Sequence, residues 1–257
     1  LEQIFDMNEP VSRRRFLGVA AAGAASLALS ACTSVPRRDT AGPGVTSYAP
    51  PPLPPEPDYS PAYYQQAYAS VLDEGFQIPA VPFERINPRL LRRRVNDPTG
   101  EAPGTVVVDV ANHYLYFVEP GGRAMRYGVG LGRAGFEWSG RGEIEWKQTW
   151  PRWFPPNEMI DRQPELEPYR AEYNPTTRSW DGGMDPGLGN PLGARALYIY
   201  QDGKDTLYRL HGSPEWWSIG QSVSSGCVRL INQDVIDLYD RVPVKSPILV
   251  TSGLATV

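Results

Sequence analysis

Beyond residue 104 the chain repeatedly shows the apolar patterning of strands. Residues 105–110 read Thr-Val-Val-Val-Asp-Val and residues 114–118 read Tyr-Leu-Tyr-Phe-Val; a Pro120-Gly121-Gly122 turn then leads into residues 124–130. Runs rich in β-branched and aromatic residues, punctuated by Gly and Pro, predict a strand, turn and strand series. Further strands are expected over 194–200, 206–211 and 247–251. One segment has the helical period instead: Val235, Leu238, Tyr239 and Val242 recur three or four apart, with Asn232 as the expected N-cap, which predicts a helix over 232–242. A short helix is also expected around 62–74. The pattern therefore predicts a mostly β domain over residues 104–251, a sandwich or mixed sheet with one or two short helices. Residues 150–192, rich in Pro, Gly and Trp, break every period and read as a long irregular insertion, the kind of loop that often carries function. The glycines at 128, 130 and 132 have no helical pattern after them, so they read as a strand end or bulge and not as a phosphate cradle.

The N-terminal third has another character. Ser12-Arg13-Arg14-Arg15-Phe16-Leu17-Gly18 leads into an Ala- and Gly-rich apolar stretch ending at Ala31. That stretch is shorter than the roughly 20 apolar residues of a membrane span and has the layout of a secretory signal. Its arginines resemble a twin-arginine export signal, and Leu29-Ser30-Ala31-Cys32 resembles a lipoprotein box. The second resemblance implies that Cys32 is lipidated and becomes the mature N-terminus; the alternative is an ordinary cleavage site beside an incidental Cys. The expected organisation is a signal segment over 1–31, a disordered Pro-rich tether over 32–75, a lead-in over 76–103, and the sheet-rich domain over 104–251.

Composition narrows the chemistry. A net charge of −4 without a basic face argues against a nucleic-acid partner. The one dense basic run, Arg92-Arg93-Arg94, reads as a solvated face. With two cysteines and two histidines in the whole chain, thiol or imidazole chemistry has few candidates, and no cluster with metal-ligand spacing exists. If Cys32 is lipidated, Cys227 is a lone exported thiol, either reactive or incidental.

Cys227 follows the small residues Ser224, Ser225 and Gly226, which permit a tight turn and close approach of a substrate backbone. Consecutive backbone N–H groups in such a turn converge as in an oxyanion hole. His211 lies 16 residues upstream, at the end of a strand pattern, where a Cys–His pair can form. The competing reading is a buried, inert core thiol. His113, on a different candidate strand, reads as an exposed strand or turn residue.

From His211 to Asn232 the chain resembles the signature of L,D-transpeptidases with a YkuD-type catalytic domain: a His, an intervening 14–17 residues, then Ser/Thr-His-Gly-Cys, an apolar residue and Arg or Asn. Asn190-Pro191-Leu192-Gly193 and the opening hairpin at 104–116 extend the resemblance. It implies that Cys227 is the nucleophile, His211 the general base with a backbone carbonyl orienting its other ring nitrogen, and the backbone at Ser225, Gly226 and Cys227 the oxyanion hole. Arg229, Ser224 and Gly212 are the implied substrate contacts; for Arg229 an ion pair with Asp234 or Asp237 is the structural alternative. Ser225 departs from the signature by replacing its second His. The family implies acyl transfer on peptidoglycan stem peptides, with no cofactor or metal, and with stem peptides or envelope-protein amines as acceptors. It further implies a periplasmic site, with the lipid anchor in the inner or outer membrane. Two other readings share these residues: a carboxypeptidase or endopeptidase using the same site, and a catalytically weak peptidoglycan-binding lipoprotein whose surface is formed by the aromatic segments at 146–153 and Trp216-Trp217.

Overall fold

The structure is a computed structural model that describes residues 57–132, 138–224 and 226–254. The expected signal segment, Cys32 and Ser225 lie outside the described residues. In chain order the elements are α1 (Pro61–Ala67), β1 (Val71–Asp73), β2 (Phe76–Ile78), β3 (Arg93–Asn96), β4 (Val106–Asp109), β5 (Tyr114–Glu119), β6 (Arg123–Gly128), β7 (Leu131–Gly132), β8 (Gly140–Thr149), α2 (Asn157–Arg162), β9 (Glu172–Asn174), β10 (Ser179–Asp181), β11 (Arg195–Gln201), β12 (Lys204–Ser213), β13 (Ser222–Ser224), β14 (Val228–Ile231), α3 (Asn232–Arg241) and β15 (Pro247–Thr251). The fold is mostly β, as the patterning predicts.

Nine strands form one mixed sheet in the order β14-β12-β11-β8-β15-β4-β5-β6-β3. Within this sheet, among the described residues, β12/β14 and β15/β4 pair in parallel and the other neighbours are antiparallel. β4 is central and buried at all four positions, which explains its unbroken Val-Val-Val run. The β11–β12 hairpin closes through Asp202 and Gly203, both at positive φ (50° and 73°), the two-residue geometry that matches strand twist. The main core joins Val106, Leu115 and Tyr127 to Leu197, Leu210, Val228 and Leu230, together with Val235 and Leu238 of α3 and Val242 just after it.

Several expectations are corrected. The tether does not extend to residue 75: Tyr64 and Tyr68 are buried with Val81, Ile86, Leu91, Ile219 and Ile231. The expected helix over 62–74 stops at Ala67; the chain continues as β1 and turns at Glu74 and Gly75, both at positive φ, into β2. The start of α1 is capped by the Ser60 hydroxyl, which accepts from the Tyr63 N–H at 3.3 Å. Asn232 does not cap α3 with its side chain; its Oδ1 accepts from the Ala194 N–H at 3.0 Å, tying the helix start to β11. Of Arg92-Arg93-Arg94 only Arg93 is exposed, so the run is not a uniformly solvated face. Arg92 lies between Asp234 (3.6 Å) and Asp237 (3.7 Å), Arg94 pairs with Glu119 (2.6 Å), and Arg93 stacks over Tyr59. The insertion at 150–192 contains order of its own: α2, a 3-10 helix over Pro164–Tyr169, and the β9–β10 hairpin. β3, β8 and β14 belong to the sheet although no strand was expected there. The glycine stretch behaves as expected, with β6 ending at Gly128.

Candidate active site

Strands β12 and β14 are parallel neighbours, with Leu210 opposite Val228 and His211 opposite Arg229. Leu210, Val228 and Leu230 point into the core. Alternation therefore sends Arg209, His211 and Arg229 to the other face, and the same register brings Cys227 level with Arg209 on that face. The imidazole stands on β12 and the thiol immediately before β14; the parallel register of the two strands brings them to one patch.

The residues before Cys227 are held from the other side. Gly130 exchanges two backbone hydrogen bonds with Arg229, at 2.9 and 2.8 Å, and β7 pairs with β13. The Leu131 N–H donates to the Gln221 carbonyl, and the Gly220 N–H donates to the Val129 carbonyl. Gly226 has φ +135°, and a Cβ there would stand 3.3 Å from the Tyr208 ring. A side chain at 226 is thus strained by its backbone and crowded by its neighbour, so the tight approach to Cys227 requires glycine.

His211 is buried, and its Nδ1 lies 2.6 Å from the Gly212 carbonyl oxygen. A carbonyl only accepts, so Nδ1 carries the proton and donates, leaving Nε2 as the basic nitrogen. Gly212, expected as a substrate contact, thus supplies the backbone acceptor that orients the ring. Burial pushes His211 down to about 4; the Gly212 carbonyl opposes this, and the charges of Arg229 and Arg209 add to it. Cys227 is partly exposed, yet burial by its surroundings pushes its thiol up, against the lowering effect of the Arg209 backbone hydrogen bond and the charges of Arg209 and Arg229. Both shifts favour a neutral thiol–imidazole pair at rest. The two arginines then favour thiolate once a proton moves.

Arg229 does not pair with Asp234 or Asp237, as the structural alternative expected. Its Nη1 donates to Glu215 Oε2 at 2.7 Å. Asp234 instead accepts from the Tyr68 hydroxyl at 3.2 Å, and Asp237 engages Arg241 and the Tyr127 hydroxyl. Ser224 ends β13, two residues before Gly226. His113 sits at positive φ (56°) in the turn after β4, partly buried, with Nε2 3.1 Å from the Ser222 hydroxyl. Among the described residues no group of three or more His, Cys, Asp or Glu forms a metal-binding cluster.

Sequence reading did not single out Arg209 and Glu215. The signal for Arg209 was present: it lies two positions before His211 in a strand, so the two share a face. Glu215 carried no such signal, because its pairing with Arg229 depends on the path of the chain after β12.

Comparison with known proteins finds relatives over the sheet-rich region. The L,D-transpeptidase catalytic domain model, YkuD, matches residues 103–250. The Probable L,D-transpeptidase ErfK/SrfK of Escherichia coli (strain K12) is 35% identical over 145 residues, 54% of this chain and 41% of that protein. The Probable L,D-transpeptidase YbiS of the same strain is 31% identical over 144 residues, 54% of this chain and 42% of that protein. A solved chain from Brucella melitensis, described as a probable carnitine operon oxidoreductase, is 44% identical, covering 63% of this chain and 94% of that one with a TM-score of 0.43. The chain spans about two-fifths of the length of the curated relatives it matches. With the matched region running from just before β4 to the end of the sheet, and taking in His211 and Cys227, the chain belongs to the L,D-transpeptidase catalytic-domain (YkuD) family.

Proposed function

We propose that this protein is a cysteine acyltransferase that acts on peptidoglycan stem peptides. The observation that carries the reading is the shared face of His211 on β12 and Cys227, the residue that leads into the adjacent parallel strand β14, with the Gly212 carbonyl fixing the imidazole tautomer. Nε2 of His211 accepts the Cys227 proton as the sulfur attacks the carbonyl between the L-centre of meso-diaminopimelate and the terminal D-Ala. The carbonyl oxygen takes up negative charge beside the backbone at Gly226 and Cys227. The imidazolium then protonates the departing amine, the C–N bond breaks, and D-Ala leaves behind a thioester. An incoming amine attacks the thioester, His211 accepts its proton, and the sulfur leaves and is reprotonated.

When the amine belongs to a second stem, the product is a 3→3 cross-link; envelope-protein amines are the other acceptor class. Arg229 is suited to a substrate carboxylate, which must compete with Glu215 for the guanidinium. The export and lipoprotein motifs support a periplasmic location with Cys32 as the lipid anchor. No helix among the described residues is long and apolar enough to cross a membrane. Incubation of purified protein with a disaccharide tetrapeptide, followed by mass spectrometry, tests the reaction. A dimer that has lost one D-Ala is the expected product. Tripeptide alone would assign the same site to hydrolysis, and unchanged substrate would overturn the enzyme reading.

A further inference from the structure

The face that carries Cys227 and His211 continues across the sheet. Tyr198 of β11 lies opposite Arg209 of β12 and opposite Trp146 of β8. The three side chains form one stack: the Arg209 guanidinium lies 4.4 Å from the Tyr198 ring centroid, and the Trp146 and Tyr198 rings lie 3.8 Å apart and 14° from parallel. The row Trp146–Tyr198–Arg209 therefore ends, one strand further on, at Cys227. Trp146 has 41% of its surface exposed although it lies in the middle of a strand. The neighbouring tryptophans of the same segment are used differently: Trp150 is buried against Phe76 and donates to Asp73, and Trp153 bridges to Met184.

The row is closed electrostatically. Both terminal nitrogens of Arg209 donate to Asp205, each at 2.7 Å, so the surface beside Trp146 presents an aromatic plane next to a compensated charge. Such a surface suits a neutral ring that has an apolar face and polar edges, the chemistry of an N-acetylated pyranose. The spacing is consistent with it. Three strand spacings separate β14 from β8, about 14 Å at about 4.8 Å each. The stem reaches its amino sugar from the attacked carbonyl through three amino-acid units, at most about 10–11 Å of extended backbone, with the side-chain linkage adding a few ångströms.

We propose that Trp146, backed by Tyr198 and Arg209, is a saccharide-stacking subsite that seats the amino-sugar ring of the donor stem about one stem length from Cys227. The proposal rests on the stem-peptide reading of the site. It makes the enzyme selective for stems still attached to glycan over free peptides.

The test is binding by calorimetry to the full chain carrying Cys227→Ala, with two probes: disaccharide tetrapeptide and the same tetrapeptide without sugar. The sugar-bearing ligand is expected to bind at least fivefold more tightly, and Trp146→Ala is expected to bring the ratio of the two dissociation constants close to one. Trp146→Tyr, which keeps a ring over Tyr198, is expected to retain most of the preference. Equal affinities before any change at 146, a preference that survives Trp146→Ala, or equal weakening of both ligands by that substitution would overturn the subsite. The transpeptidase reading fails separately: wild-type protein would leave both probes unprocessed whatever their relative affinities.

Discussion

At the residue scale, the site depends on how two side chains share a proton. Because burial pushes Cys227 up and His211 down, the free protein is expected to hold a neutral thiol, and iodoacetamide should alkylate Cys227 with a pH inflection above the ordinary thiol range. An inflection below neutrality would contradict this. Arg209→Gln removes a charge that favours thiolate, so alkylation at pH 8 should slow by roughly threefold to tenfold. His211 also has a stability signature. Its folded value of about 4 lies below the usual 6.5, so the unfolded chain binds more protons between those values. Its contribution is complete above about 6.5 and is lost as pH falls toward 4, by about 3 kcal/mol. Asp234 acts in the opposite direction, since burial raises its carboxyl to about 7 and stability from that group grows as pH falls below 7. Urea unfolding of wild type and His211→Gln at pH 7 and pH 4.5 isolates the histidine: the loss on acidification should be smaller in the variant. Equal losses would show that the imidazole is not buried in its neutral form.

At the element scale, the outline of the sheet was legible because β4, β5, β6, β11, β12 and β15 carry β-branched or aromatic runs bounded by turn residues. β8 was not, because its Gly-Arg-Gly-Glu-Ile-Glu sequence buries little on one face and reads as polar. β14 is short and merges directly into α3, so its apolar residues looked like a lead-in to the helix. The parallel register of β12 and β14, which joins His211 to the Cys227 segment, connects residues whose pairing no local period encodes. Cys227 and His211 were therefore nameable as candidates from the motif, while the Gly212 carbonyl and Arg209 required the fold. Gly226 is the most exacting position in this turn. Gly226→Ala meets both an unfavourable positive φ and the Tyr208 ring, and should cost about 1–3 kcal/mol while displacing the thiol. A thermal melt coupled to the stem-peptide assay would check it; a variant with unchanged melting and turnover would show that the turn tolerates a side chain.

At the scale of the whole molecule, the segment before the sheet is part of the folded body and not only a spacer. Composition alone placed the boundary too late, because Pro-rich sequence continues almost to Tyr59, and the aromatic cluster that follows packs with Val81, Ile86 and Leu91 and with Ile219 and Ile231, more than 100 positions away. Tyr68 joins the two regions: its hydroxyl donates to Asp234 at 3.2 Å and accepts from the Arg92 N–H at 3.0 Å. Tyr68→Phe leaves both groups without that partner in a buried setting and should cost about 2–3 kcal/mol in chemical denaturation. A loss below about 0.5 kcal/mol would mean that the N-terminal segment is only loosely attached. The direct test of the central claim is the intact mass of the protein after incubation with disaccharide tetrapeptide and acid quenching. The account requires a covalent adduct equal to the substrate minus D-Ala, mapped to Cys227 and absent from Cys227→Ala. An unmodified protein under conditions where product forms, or an adduct on any other residue, would contradict it.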